Sequence, residues 1–317
     1  RQVSALKLEY IGADRRLIPV PLSKFIPLVN TANETVRENP PQFIFHTAFC
    51  ASTFLSRCLD VDGVCVSLRE PQILLDAANA KRLQWRSKTT SLNYSHMPKL
   101  ALALLQKHAA PTEKLLIKPI NSVNNIISEL LQITGTAKSL LLYTDAKNFL
   151  LSSLRKGEGG KHVIRAMFDL LRCDFPHLAN LSLSAMLHMT DLNIILTLWR
   201  LQIEQAEQAL VQFSSGKSLA SLYGEKLIHD PLATLYAANQ FLELGIPDEK
   251  IDAIVKSDSR YDDAKSKGER FSLQKREERY QRLEGFYGDD LINGLNWMLR
   301  NNPTVKLYPD MTGNLGN

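Results

Sequence analysis

Residues 43–60 constrain the fold of this chain more tightly than any other stretch. Asn39-Pro40-Pro41 breaks the backbone pattern, and Phe43-Ile44-Phe45-His46 follows as a short apolar run of strand length. Residues 47–53 come next, six of them small or polar with Phe49 as the exception. Phe54, Leu55, Cys58 and Leu59 then recur at helical spacing. The reading is strand, tight loop, helix. The same alternation returns downstream. A strand is expected at 64–66 before a helix from about Gln72, and another at 115–118, stopped by Pro119. Ser122 is expected to cap a helix over 123–134, and a strand at 139–143 precedes a helix at 146–155. Strands separated by helices require crossover connections, so the fold expected is α/β, with a central mainly parallel sheet between two helical layers.

The remainder reads as helical insertions and a helical second half. A helix is expected at 98–108, and a long amphipathic one at 191–213 puts Leu192, Ile195, Leu196, Trp199 and Ile203 on one face. A last strand at 218–222 leads to a helix at 231–244 that ends at Gly245. Residues 260–282 are charged and partly helical, and 291–299 form a final apolar helix. Residues 1–42 read as a leader or hairpin, 43–310 as a single elaborated P-loop-like domain, and 311–317 as a flexible tail. With 317 residues the chain can bury a large core without staples.

The four cysteines, Cys50, Cys58, Cys65 and Cys173, form no CxxC and have no His at zinc-finger spacing. No metal site and no disulfide framework is therefore expected, and reduced thiols suit a cytoplasmic protein. No apolar run reaches 18 residues, and residues 1–12 lack the apolar core of a signal peptide. The net charge of +5 suits an anionic small molecule. It falls short of a nucleic-acid binder, and no basic platform with interleaved aromatics is present.

A loop of small residues at the mouth of a helix gathers backbone N–H groups and the positive end of the helix dipole, which suits phosphate or sulfate. Ser52 and Thr53 add hydroxyls there, although Ser52 could simply cap the helix. The Walker pattern is not met: neither motif position is Gly, and no Lys precedes Ser52-Thr53. An ordinary P-loop ATPase or kinase is disfavoured.

The stretch Phe43-Ile44-Phe45-His46-Thr47-Ala48-Phe49-Cys50-Ala51-Ser52-Thr53-Phe54-Leu55 resembles the opening of the sulfotransferase family, its bacterial members above all. Ser67-Leu68-Arg69-Glu70-Pro71 is similar to their Ser-Glu-Pro segment, and Leu115-Leu116-Ile117-Lys118-Pro119 to their strand ending in Lys. Leu141–Ser153 resembles the 3′-phosphate segment, with Ser152 on the family Ser. The pieces Leu222-Tyr223-Gly224-Glu225-Lys226-Leu227, Asp230–Leu235 and Phe241–Gly245 resemble the closing strand and helix. The likeness spans about residues 43–270.

This resemblance implies 3′-phosphoadenosine-5′-phosphosulfate (PAPS) as cofactor, no metal, and a small hydroxyl- or amine-bearing acceptor. It puts Thr47, Ala48, Phe49, Cys50, Ala51, Ser52 and Thr53 around the phosphosulfate, and Thr144 and Ser152 at the 3′-phosphate. Arg155 and Arg57 are nearby cations, and Lys267, Gly268 and Arg270 are candidates for a late basic loop over the nucleotide. Glu70 is the candidate base, Lys118 the cation for developing charge, and His46 a donor or base. Structural alternatives stand beside each. Glu70 could be a carboxylate favoured by a helix start, Lys118 a strand-end Lys reaching solvent, His46 a satisfied structural His, and Cys50 an inert small residue. Residues 260–282 could be a solvated mixed-charge helix.

Two departures fall on the cofactor chemistry. Phe49 or Cys50 occupies the family's loop cation position, with Ala51 in place of Gly, and Thr144 stands where the 3′-phosphate segment has Arg. A neutral hydroxyl grips phosphate less strongly than a guanidinium. Two functions are therefore expected in competition: a PAPS-dependent sulfotransferase, or a non-catalytic P-loop-like protein that binds another nucleotide, phosphate or a protein partner.

Overall fold

The computed structural model describes residues 39–86, 96–215, 217–256 and 273–315. Residues 1–38 of the leader expected at 1–42, and Lys267, Gly268 and Arg270 of the late basic stretch, lie outside the described residues, whereas Gln42 already belongs to the first strand.

Five strands form one parallel sheet: β1 (Gln42–His46), β2 (Cys65–Arg69), β3 (Lys114–Lys118), β4 (Ser139–Tyr143) and β5 (Leu219–Tyr223), in the order β2-β3-β1-β4-β5. The register pairs Phe43 with Ile117, Phe45 with Leu141 and Leu142 with Leu222. β1 and β4 are buried along their whole length, as strands covered on both faces must be.

The helices are α1 (Ser52–Cys58), α2 (Gln72–Arg86), α3 (His96–Leu105), α4 (Ile127–Thr134), α5 (Ala146–Leu154), α6 (Gly157–Leu171), α7 (Pro176–Ala179), α8 (Leu183–Leu187), α9 (Asp191–Phe213), α10 (Gly224–His229), α11 (Pro231–Leu242), α12 (Asp248–Lys256) and α13 (Leu273–Asn301). Alternate side chains of the strands feed two cores. Phe43, Phe45, Leu141 and Tyr143 join the larger core, to which α2–α6, α9 and α13 contribute. Ile44, Leu140 and Leu142 join the smaller one, built with α1, α10, α11 and α12. The result is the expected three-layer α/β/α arrangement. Among the described residues no helix is long and apolar enough to cross a membrane.

Several boundaries depart from expectation. Ser122 caps nothing: residues Asn121–Ile126 form a 3-10 turn in which Ser122 is buried, and α4 begins only at Ile127. Helix α11 stops at Leu242, where Glu243 takes the left-handed capping position at φ 52°, two residues ahead of Gly245, itself at φ 73°. The apolar segment 291–299 belongs to the longer α13, bent at Tyr287. Residues 311–315 are no loose tail. Met311 is buried, the Ser221 N–H donates to the Gly313 carbonyl (3.0 Å), and the Leu315 N–H donates back to Ser221 (2.8 Å). An isolated Met behind a polar run gives no sequence signal for that docking.

Candidate functional site

In an open parallel sheet, ligands bind beyond the carboxyl ends of the strands, where connections depart in opposite directions. β1 is the central strand, with β2 and β3 on one side and β4 and β5 on the other. The loop after it, residues 47–51, lies at that position. It turns sharply by placing Phe49 (φ 64°) and Ala51 (φ 61°) in the left-handed region, at positions without Gly.

Four contacts hold the loop. The Thr47 N–H donates to the Leu142 carbonyl (2.8 Å). The Ala48 N–H donates to Gln202 Oε1 (2.8 Å), which also accepts from Asn121 Nδ2 (2.6 Å). The Cys50 thiol donates to the Thr47 carbonyl (3.0 Å) and draws in the Ser52 N–H and hydroxyl. Gly224, at the start of α10, packs directly on the Cys50 carbonyl, where a Cβ would come within 2.5 Å of the oxygen. Among the described residues no acceptor is placed on the N–H groups of Cys50, Ala51 or Thr53. These are the donors an anion could meet.

Glu70 and Lys118 come together at the ends of β2 and β3. Lys118 Nζ donates to Glu70 Oε1 at 2.8 Å, and the Glu70 N–H donates to the Lys118 carbonyl at 2.7 Å. Glu70 sits at φ 53°, a third strained position on the same edge. Its side chain is 44% exposed, whereas that of Lys118 is 1% exposed. Lys118 therefore neither reaches solvent nor faces a ligand; it holds and orients the carboxylate. Its charge is also felt by the Cys50 thiol, which places it close to the loop. Burial nonetheless dominates at Cys50 and pushes its thiol up to about 11, so the group is an inert neutral residue at ordinary pH.

His46 is not arranged as a base. Its Nδ1 faces the Thr47 carbonyl (2.8 Å) and its Nε2 the Pro119 carbonyl (2.9 Å), so the buried ring lies between backbone oxygens at the ends of β1 and β3 rather than at an open surface. Thr144 is fully buried; its carbonyl accepts from Trp199 Nε1 (2.9 Å), and its hydroxyl has no hydrogen-bond partner. Ser152 is buried and its hydroxyl bonds Tyr280 of α13 (2.5 Å). Arg155 is exposed just beyond α5. Neither Thr144 nor Ser152 presents its hydroxyl to an open surface, because α9 covers the first and α13 the second.

The structure adds residues that sequence reading missed. Gln202 clamps the loop from α9, and nothing in the sequence of an amphipathic helix marks one buried amide among its apolar neighbours. Lys156 sets its Nζ 5.2 Å above the Phe49 ring, which also meets Phe149 edge-on. Arg276 makes a two-pronged pair with Glu225 (2.8 and 2.6 Å) beside Gly224 and stacks on Tyr280. Gly224 directly after a strand was the one legible hint of a close approach. Among the described residues no group of acidic, His or Cys side chains could hold a metal ion. No protein-family model matches the chain, and no curated protein sequence matches it.

Proposed function

We propose that this chain is a sulfotransferase-like enzyme that uses PAPS and transfers its sulfuryl group to a small hydroxyl- or amine-bearing acceptor. The observation that carries the reading is the Glu70–Lys118 pair, set beside a tight loop with free N–H donors at the central strand's end. In this reading Glu70 takes the acceptor's proton, and Lys118 holds and aims the carboxylate. The N–H groups of Cys50, Ala51 and Thr53 meet negative charge on the transferring end. PAPS supplies the sulfuryl group when bound.

The residues fit the phosphosulfate end of that cofactor better than its other end. Thr144 and Ser152 are turned away, so the 3′-phosphate has no partner among the residues nominated for it. Titration calorimetry with 3′,5′-adenosine bisphosphate tests the reading. Binding is expected, and it should survive Glu70→Gln while sulfuryl transfer to a panel of phenols and amines falls by about 10²-fold or more. No heat at millimolar nucleotide would sink the proposal.

A second reading has its own support. The Ala48 N–H is already taken by the buried Gln202 amide, which occupies one of the donors an anion would use. This favours a non-catalytic binder of a simple anion or a protein partner. Binding of inorganic phosphate or sulfate without any binding of the nucleotide would select it.

A further inference from the structure

Away from the loop, a second cleft of about 420 Å³ opens between α9, the turn Asn121–Ile126 with the start of α4, and the turn Arg172–Asp174. Its size is that of small-molecule sites. The floor is a closed ion pair. Arg82 donates to the two Asp174 oxygens at 2.9 and 2.6 Å, with both side chains under a tenth exposed. Asn125 and Gln205 add bonds to the same carboxylate at 3.2 and 3.4 Å.

The wall carries a surplus of acceptors. Oδ1 of Asn124, Oδ1 of Asn125 and Oε1 of Gln205 are buried without a hydrogen-bond partner. All three residues line the cleft. Leaving such a group unmet costs about 1–3 kcal/mol, and buried polar groups of a native fold are ordinarily met. Three acceptors from two separate elements on one cleft call for donors that the chain does not supply. Gln205, Gln208 and Gln212 share one face of α9 and carry amides from the buried floor to the exposed rim. Phe175, Ile127 and Ala209 provide an apolar patch beside them.

Charge selects the ligand class. Asp174 is answered by Arg82, Glu204 faces Arg200 at 3.6 Å, and Lys81 is bonded to Glu129. An ammonium entering here would lose its water without an unanswered carboxylate to meet it, and an anion would face acceptor oxygens. A hydroxyl can donate to an amide oxygen and accept from an amide N–H with no charge to desolvate. We propose that this cleft binds a neutral polyhydroxylated molecule, a sugar or cyclitol, through the amides of Asn125, Gln205 and Gln208. The inference is independent of the function proposed for the loop.

Saturation-transfer NMR on the full chain with glucose, galactose and myo-inositol tests it, with spermidine as a cationic probe. Calorimetry with 3′,5′-adenosine bisphosphate on the same sample reports the loop separately. At least one neutral probe is expected to bind in the millimolar range or tighter. Gln205→Leu and the rim variant Gln208→Leu should each weaken it about tenfold, while Glu70→Gln leaves it unchanged. Gln208 is exposed, so its variant keeps the test valid if Gln205→Leu unfolds the chain. Failure of all three neutral probes at millimolar concentration, binding of spermidine in their place, or indifference to Gln208→Leu overturns the proposal.

Discussion

Gly224→Ala should distort the loop of residues 47–51 directly. The new Cβ would lie 2.5 Å from the Cys50 carbonyl oxygen, 2.9 Å from its carbon and 3.0 Å from its Cα. Ordinary contact begins near 3.4 Å, so backbone must part from backbone by roughly 0.9 Å. No flexible side chain can yield here. Helix α10 is fixed by β5 behind it and by the Arg276–Glu225 pair, so the loop must give way. Overpacking of this kind costs about 1–3 kcal/mol. A shift near 1 Å at a binding loop also costs about 10²-fold in function. Urea denaturation and nucleotide calorimetry measure the two effects. Gly159→Ala is the control: it lies inside α6 with nothing within 4 Å of its Cβ position, so it should be neutral or gain up to about 1 kcal/mol. If Gly224→Ala is as stable as the parent and binds nucleotide as well, the close approach of α10 to the loop is not what fixes its shape.

Three further outcomes follow from the same geometry. Burial lifts the thiols of Cys50 and Cys65 from 9.0 to about 11 and about 12, so above about pH 9 the unfolded chain releases these protons first. Stability should then fall by about 1.4 kcal/mol per pH unit for each thiol, and Cys65→Ala should remove one share of that slope; equal slopes in urea melts at alkaline pH would refute it. Removing residues 310–317 exposes the Met311 site and strips two backbone bonds from Ser221, at a cost of about 3 kcal/mol; an unchanged urea midpoint would contradict this docking. Thr144→Arg, which places at this position the residue carried by the family that the segment resembles, buries a guanidinium where Thr144 is fully enclosed and should lower stability by several kcal/mol; a stable variant with raised nucleotide affinity would show that the segment opens.

The sheet was legible because its central strands carry short continuous apolar runs, such as Leu115–Ile117 before Pro119, while Ser67 and Ser221 interrupt those of β2 and β5. Burial on both faces removes polar alternation and leaves that simple signature. The loop of residues 47–51 was legible as a turn, since small residues follow an apolar run. Its clamps were not. Gln202 and Asn121 lie 81 positions apart and meet only because α9 folds across the ends of β1 and β3. The fate of Ser122 was misread for a related reason. A hydroxyl ahead of an apolar run reads as a helix cap, yet Arg82 Nη2 claims the Ser122 carbonyl at 2.6 Å and the turn tightens to 3-10. Partners distant in sequence decided both cases, and local pattern carries no information about them.

The backbone itself separates this edge of the sheet from an ordinary connection. Among the described residues five non-glycine positions have positive φ, and Phe49, Ala51 and Glu70 are three of them. Each costs about 1–2 kcal/mol relative to a right-handed or extended conformation. A chain that needed only to turn from strand to helix would place Gly there at little steric cost. Instead the strain is held by contacts on or directly beside these residues: Gly224 against Cys50, Gln202 on Ala48, and the Lys118 carbonyl on the Glu70 N–H. At Glu70 the consequence is specific. The left-handed turn lets one residue give its N–H to the Lys118 carbonyl and its carboxylate to the Lys118 ammonium, while that carboxylate stays half exposed beside the loop. Strain concentrated where a buried cation orients an accessible carboxylate is what a site needs and a mere connection does not.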